Sequence, residues 1–154
     1  LVLIDPGGLE TPITAPFWTV LAEEGRNYLL PRNESEWREM VSLVYERPVH
    51  IPGFMRRQTL RTVAAERPRL EWIFDRLLAE GYNPLGENLG RITCPVVVIW
   101  GEHDRVIDPS GAEMVRRALP EARIEMVPDC GHSPTRERPD VVRRILVDVL
   151  SRWG

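Results

Sequence analysis

The clearest apolar run of the chain is Val96 to Trp100, five residues that stand between Pro95 and Gly101. A continuous apolar run of this length predicts a strand that is buried on both faces, as in a parallel sheet. Arg123 to Val127 is predicted to be a second strand, and Leu1 to Ile4, which ends in Asp-Pro-Gly-Gly, a third. The pattern therefore predicts an α/β fold with about three parallel strands.

The stretch between Leu1 to Ile4 and Val96 to Trp100, residues 15–90, has a helical pattern interrupted by prolines. Asn33, with a glutamate three residues on, predicts a helix start. Two further helices are predicted, one over Gly53 to Glu66 and one with an apolar stripe from Leu70 to Leu78 that is closed by Gly81. A parallel crossover needs only about a dozen residues, so this much longer connection predicts an inserted helical subdomain.

The rest of the chain is predicted to add two helices that flank the sheet. Asp108 before Pro109 can serve as an N-cap, while Ser110 offers a competing capping box with Glu113. A last helix is predicted from Pro139, with one apolar stripe packed on the sheet. The stripe consists of Val141, Val142, Ile145, Leu146, Val149, Leu150 and Trp153.

Composition narrows the class of protein. The 154 residues are 43% hydrophobic and 28% charged, which is typical of a globular domain, and no apolar run is long enough for stable membrane insertion. All 20 basic residues are arginines and the net charge is −3; because they form no basic stripe, nucleic acid is not an expected partner. Cys94 and Cys130 do not make a disulfide framework, and no signal peptide opens the chain, so we expect a cytoplasmic setting.

Two polar side chains that follow predicted strands carry the candidate chemistry. Asp104 lies on the loop after Val96 to Trp100, and His132 lies just past the turn that follows Arg123 to Val127. The carboxyl ends of parallel strands share one edge of the sheet, where α/β folds place their ligand sites. An aspartate that orients an imidazole is part of the machinery that activates a hydroxyl nucleophile. We therefore expect Asp104 and His132 to meet there as catalytic residues.

At these positions the sequence resembles the α/β-hydrolase family. The matching stretches are Gly101 to Asp104, Cys130 to Ser133 and Glu137 to Pro139. The resemblance implies that Asp104 is the catalytic acid of the family and that His132 is its catalytic histidine. It also implies that the fold is the C-terminal part of an α/β-hydrolase sheet with a helical cap.

Further matches refine this resemblance. Arg47 to Pro52 and Asp108 to Ala112 look most like the monoacylglycerol lipase and carboxylesterase branch of the family. In family terms, residues 1–14 and 91–154 are a partial hydrolase core and residues 15–90 are the helical cap. The resemblance implies a serine hydrolase that cleaves carboxylic esters, with a small apolar ester such as a mono-acyl lipid as substrate and with no cofactor.

One part of the family's machinery is missing from the sequence. The nucleophile of the family lies on a Gly-x-Ser-x-Gly elbow, and the chain contains no such motif. We interpret the chain as the C-terminal half of an esterase, inactive alone, with a homo-oligomer possible through the exposed strand edge at residues 1–4. A carbon–carbon bond hydrolase of the same fold is an alternative interpretation, and a truncated, non-catalytic binding module is another.

Other polar residues compete with the two candidates. Asp108 and Asp5 are rival carboxylates, although an N-cap role suffices for Asp108 and a turn role for Asp5. His103 and His50 are expected on the surface. Because Cys130 and the histidines lack a recognised ligand spacing, no metal is expected.

Overall fold

The sheet has three parallel strands in the order β1-β2-β3. The computed structural model describes residues 1–47, 49–79 and 84–153, and the strands are β1 Val2–Ile4, β2 Val97–Gly101 and β3 Arg123–Val127. In β2, Val97 lies beside Val2 of β1 and Arg123 of β3. The predicted parallel sheet is confirmed, and β2 begins and ends one residue later than predicted.

Helices account for most of the remaining described residues. Before β2 they are α1 Pro16–Glu24, α2 Glu34–Val44, α3 Gly53–Ala79 and a 3₁₀ helix, Gly86–Arg91. After β2 they are α4 Gly111–Ala118, α5 Pro134–Glu137 and α6 Pro139–Trp153. None of the described helices is long and apolar enough to cross a membrane.

Alternate residues of β2 enter two apolar cores, one on each face of the sheet. Val98 and Trp100 pack in a core that includes Phe17 of α1 and Val115 of α4. The core on the opposite face consists of Val97, Ile99, Val127, Cys130, Val142, Ile145 and Val149. Because both faces are covered, β2 is apolar at every position up to Gly101, and its carboxyl end is held firmly at the edge where the candidate site lies.

The predicted start of α2 is confirmed. The Asn33 side chain accepts hydrogen bonds from the N–H groups of Ser35 (2.9 Å) and Glu36 (3.0 Å). The Glu36 carboxylate in turn accepts from the N–H of Arg32 at 2.8 Å. These bonds satisfy donors that the first helical turn leaves free, and they fix the helix whose other end, at Val44, contacts the candidate site.

One long helix, α3, replaces the two that were predicted, and its 27 residues continue through Pro68. The proline lies on an exposed face, where the carbonyl that loses its partner can be solvated. The neighbouring Arg67 donates to the carbonyls of Leu30 (2.9 Å) and Pro31 (3.2 Å), which anchors the helix at the point where the proline weakens it. The predicted helix end at Gly81 lies outside the described residues.

Two details of the C-terminal part also differ from the prediction. Ser110 does not cap α4 with its side chain; its Oγ accepts from the N–H of Ile13 at 3.2 Å, and Asp108 Oδ1 accepts from the N–H of Ser110 at 2.9 Å. Leu150 and Trp153 of α6 are 69% and 43% exposed instead of packed. The 15-residue helix, at about 1.5 Å per residue, is longer than the strands that it covers.

The outer edge of β1 is partly apolar. Leu1 and Ile4 are both exposed, and within the described residues β1 pairs with β2 alone. Pairing of this edge with a second copy of the chain stays a prediction.

Candidate active site

The loop after β2 places Asp104 at the carboxyl edge of the sheet. Contacts with β3 and its turn continue past the strand, since the N–H of Glu102 donates to the carbonyl of Val127 (3.0 Å) and the N–H of His103 to that of Cys130 (2.9 Å). The loop is thereby fixed against the next strand. Asp104 is buried, with 3% of its surface exposed.

Four donors surround the Asp104 carboxylate. Oδ1 accepts from the N–H groups of Val106 (2.8 Å) and Ile107 (3.0 Å). Oδ2 lies 3.3 Å from the indole nitrogen of Trp100, which donates to it, and 2.8 Å from Nδ1 of His132. A buried carboxylate without such partners would be very costly, and with them it has one fixed orientation.

The turn that presents His132, residues 128–132, is called the histidine turn below. Asp129 has a φ of 49°, in the left-handed region that aspartate tolerates better than most residues. Its carboxylate forms an ion pair with Arg47 at 2.9 Å. The N–H of His132 donates to the carbonyl of Val44, at the end of α2, at 2.7 Å. The histidine turn is therefore bound to the segment that follows α2.

Two glycines allow the histidine turn to approach its neighbours. A Cβ on Gly101 would lie 2.0 Å from the carbonyl oxygen of Gly131 and 2.6 Å from that of Cys130. A Cβ on Gly131 would lie 2.6 Å from the carbonyl oxygen of Val44 and 2.9 Å from the nitrogen of Glu46. All four neighbours are backbone atoms, which cannot turn aside as a flexible side chain can. The close contact therefore requires glycine at both positions.

The contact predicted between Asp104 and His132 is confirmed. Because an ionised carboxylate can only accept hydrogen bonds, Nδ1 carries the proton and Nε2 keeps a free lone pair. Burial lowers the pKa of His132, but the hydrogen bond and charge of Asp104, with the charge of Asp5, outweigh it and raise the pKa above its ordinary value. The side chain is still 26% exposed, so the imidazole is a base that is oriented and accessible.

Asp5, the rival carboxylate after β1, lies beside this pair. Its Oδ1 accepts from the N–H of Gly101 at 3.0 Å. The imidazole of His132 is bound by Asp104 instead. Ligating atoms of Asp5, Asp104 and His132 nevertheless all lie within 4.8 Å of one another. Burial raises the pKa of Asp5 to about 7. Asp5 therefore has more than the turn role expected from the sequence, because it is also a buried carboxyl beside the Asp104–His132 pair.

These three residues are of types that bind metals, but their hydrogen bonds favour proton transfer. Both oxygens of Asp104 already accept two bonds each, and Nδ1 of His132 is bound to one of them. The groups that could still bind a metal are the Asp5 carboxyl and Nε2 of His132. Zinc sites in proteins use three or four side-chain ligands, which is more than these two supply.

The remaining candidates have structural or surface positions. Asp108 Oδ1 binds the N–H of Ser110, but the N-cap role expected for Asp108 is wrong, because α4 begins at Gly111 and Ser110 occupies the N-cap position. His103 and His50 are exposed, as predicted. Cys130 is buried, which raises the pKa of its thiol to about 12, and a thiol that resists ionisation is a poor nucleophile.

Sequence reasoning missed the role of Glu137. Its Oε1 accepts from the N–H of Gly131 at 2.8 Å, and its Oε2 accepts from the N–H groups of Glu46 (2.8 Å) and Arg47 (2.9 Å). One carboxylate therefore binds both the histidine turn and the segment after α2. Glu46 and Arg47 are 91 and 90 residues from Glu137 along the chain, so local sequence pattern could not reveal that Glu137 connects them to the histidine turn.

A cavity of about 720 Å³ lies beside the site. Neither Asp104 nor His132 lines it, but Arg105, next to Asp104, does, and so does Glu46, whose N–H binds Glu137. The apolar part of its wall consists of Trp37, Val41, Val49 and Ile51. The cavity is thus next to the Asp104–His132 pair and offers an apolar surface.

A buried aspartate that binds an imidazole at the carboxyl edge of a parallel sheet is the acid and base arrangement of hydrolases that use a hydroxyl nucleophile. A sequence model described as "Alpha/beta hydrolase family" matches residues 1–145. The chain belongs to the α/β-hydrolase family, and the predicted fold class is confirmed.

Individual relatives place the chain near the predicted branch. It is 34% identical to monoacylglycerol lipase abhd6-B of Xenopus laevis and 29% identical to monoacylglycerol lipase ABHD6 of Mus musculus, over 98% of this chain and 47% of each relative. It is similar to the crystal structure of a membrane phospholipase A, a bacterial virulence factor, with a TM-score of 0.89 at 28% identity over 98% of this chain and 48% of that one. The chain therefore spans about half the length of these relatives.

Proposed function

We propose that the chain supplies the acid, the base and a helical cap of a serine hydrolase that cleaves carboxylic esters. The observation that carries the proposal is the 2.8 Å contact between His132 Nδ1 and Asp104 Oδ2, because it leaves Nε2 free to act as a base. In this proposal residues 15–90 are the cap, and residues 1–14 and 91–154 belong to the core. The hydrogen bond from the His132 N–H to Val44 supports a cap that contacts the site.

In the proposed mechanism, His132 is first a base and then an acid. Nε2 takes the proton of a serine hydroxyl while the serine oxygen attacks the ester carbonyl carbon. The imidazolium, stabilised by Asp104, then gives this proton to the leaving alcohol, and an acyl-enzyme remains. Water attacks the acyl-enzyme with the same help from His132, which releases the carboxylic acid and restores the serine.

The serine nucleophile of this mechanism lies outside the 154 residues. No Gly-x-Ser-x-Gly elbow occurs among them, and their serines belong to helices or to the residues just before helices. These serines are Ser35, Ser42, Ser110, Ser133 and Ser151. We therefore expect the 154-residue chain alone to hydrolyse activated esters no faster than free imidazole.

The substrate class that we propose is a mono-acyl ester such as a monoacylglycerol. Two relatives that align with almost the whole chain are named monoacylglycerol lipases. The cavity of about 720 Å³ supports the same class, because the apolar part of its wall, which includes Trp37, Val41, Val49 and Ile51, suits a hydrocarbon chain.

The proposal is tested with the longest natural reading frame that contains these residues. Release of fatty acid from a monoacylglycerol is measured together with labelling of a serine by a fluorophosphonate. We expect His132→Gln to lower turnover by at least about a thousandfold, because the base is lost. Asp108→Asn, which removes a carboxylate that does not touch His132, is the control and should hydrolyse at the normal rate.

Three results would overturn the proposal. The first is hydrolysis that persists in His132→Gln. The second is cleavage of a vinylogous diketone without ester hydrolysis, which is the behaviour of a carbon–carbon bond hydrolase. The third is binding of a mono-acyl lipid without any turnover by the intact protein, which is the behaviour of a binding module.

A further inference from the structure

Asp5 is a buried carboxyl that the proposed mechanism does not use. Its φ of 41° is in the left-handed region, and only 7% of its surface is exposed. Its N–H donates to the carbonyl of Ile99 at 3.0 Å, and its Oδ1 accepts from the N–H of Gly101 at 3.0 Å. Both bonds are to β2, so the carboxyl is fixed to the same strand end that leads to Asp104.

The charged groups around Asp5 come from three other parts of the fold. Asp104 lies on the loop after β2, His132 on the histidine turn, and Glu137 in α5. Atoms of Asp5, Asp104 and His132 lie within 4.8 Å of one another, a range in which buried charges interact strongly. His132 therefore has two carboxyl groups beside it, and only one of them, Asp104, is hydrogen-bonded to its ring.

We propose that Asp5 is a positioning residue that acts through His132, and that its ionised carboxylate adds to Asp104 in stabilising the imidazolium. The role in catalysis rests on the proposed function, whereas the effect on the imidazole does not. Burial raises the pKa of Asp5 to about 7, so its charge changes in the range in which a histidine titrates. An ionised Asp5 raises the pKa of His132, and a neutral Asp5 does not.

The test measures the ring titration of His132 by NMR in the 154-residue chain, which contains three histidines. Asp5→Asn keeps the size of the side chain, tolerates a positive φ and retains an oxygen for the Gly101 N–H. We expect it to lower the titration midpoint of His132 by about one pH unit, because an opposite charge within about 4 to 6 Å is lost. Asp108→Asn changes the net charge equally and should leave that midpoint unchanged.

An unchanged His132 midpoint in a folded Asp5→Asn chain would overturn the proposal, as would an equal change in Asp108→Asn. If Asp5→Asn does not fold, Asp5→Gly, which suits the positive φ, is measured in its place with the same expected decrease. In the intact hydrolase, Asp5→Asn should move the acidic limb of kcat/KM to lower pH by the same amount. The NMR midpoint is measured without turnover. An intact protein without esterase activity would therefore disprove the proposed function, whereas the effect of Asp5 on His132 would still be tested by the NMR midpoint.

Discussion

Replacement of Asp104 by asparagine separates the proposed catalytic role of the carboxylate from its role in stability. Asparagine keeps one acceptor oxygen, which can stay on the N–H groups of Val106 and Ile107. Its NH₂ group then takes the place of Oδ2, facing Trp100 and His132. The imidazole can keep a hydrogen bond only if its proton moves from Nδ1 to Nε2, and in that tautomer Nε2 is no longer a base.

The expected stability cost follows from the donors that lose a partner. In Asp104→Asn, the Trp100 indole still has the carbonyl of Ile107 at 3.2 Å, so we expect a loss of about 1.5 to 3 kcal/mol, the range for one hydrogen bond to a charged group. Asp104→Ala also leaves the N–H groups of Val106 and Ile107 without the acceptor, at about 1 to 3 kcal/mol each. Alanine should therefore cost clearly more than asparagine.

Two measurements check this reasoning. Nitrogen chemical shifts of the His132 ring report which nitrogen carries the proton, and urea unfolding gives the free energy of unfolding of each variant. In the intact protein, Asp104→Asn should lower the kcat of the proposed ester hydrolysis by about 10⁴-fold, because the wrong tautomer is stabilised. An asparagine variant that keeps the proton on Nδ1, or that is as unstable as the alanine variant, would refute the assignment of these hydrogen bonds.

Two further changes test other contacts of the site. Gly101→Ala places a Cβ 2.0 Å from the carbonyl oxygen of Gly131 and should cost about 1 to 3 kcal/mol or more, whereas an alanine Cβ at Gly90 meets nothing within 4 Å; equal urea midpoints for the two variants would contradict this. The pKa of Asp5 is raised from 3.8 to about 7, so the unfolded chain releases the proton first and the free energy of unfolding falls as pH rises between these values. Asp5→Asn should lack this fall of at most about 4 kcal/mol, and a constant difference from wild type between pH 4 and 7 would disprove it.

The sheet and the acid–base pair could be predicted from the sequence because each depends on a local rule. A strand covered on both faces has to be apolar throughout, so Val96 to Trp100 stands out in the sequence. Asp104 lies on the loop after one strand and His132 at the end of the turn after the next, and parallel strands bring their carboxyl ends to one edge. The positions of these residues in the fold were therefore contained in short stretches of the chain.

The continuity of α3 and the setting of Asp5 depend instead on distant contacts. By local rules Pro68 predicts a helix break. The helix continues because hydrogen bonds from Arg67 to the carbonyls of Leu30 and Pro31 stabilise it at this point. The sequence predicts only a turn role for Asp5. The register of β1 on β2 places it against Gly101 and His132. Neither contact can be predicted from the residues next to it in the sequence.

The histidine turn has little freedom to move independently of the end of α2. The N–H of His132 binds the carbonyl of Val44, and the N–H of Gly131 binds Glu137, which also binds the N–H of Glu46. A shift of the segment after α2 would break these bonds together and leave several polar groups without partners, each at about 1 to 3 kcal/mol. The 2.8 Å contact that orients the imidazole on Asp104 therefore depends on the proposed cap as well as on the sheet. The segment after α2, which lines the neighbouring cavity, therefore also holds the backbone of His132, the proposed general base, in place.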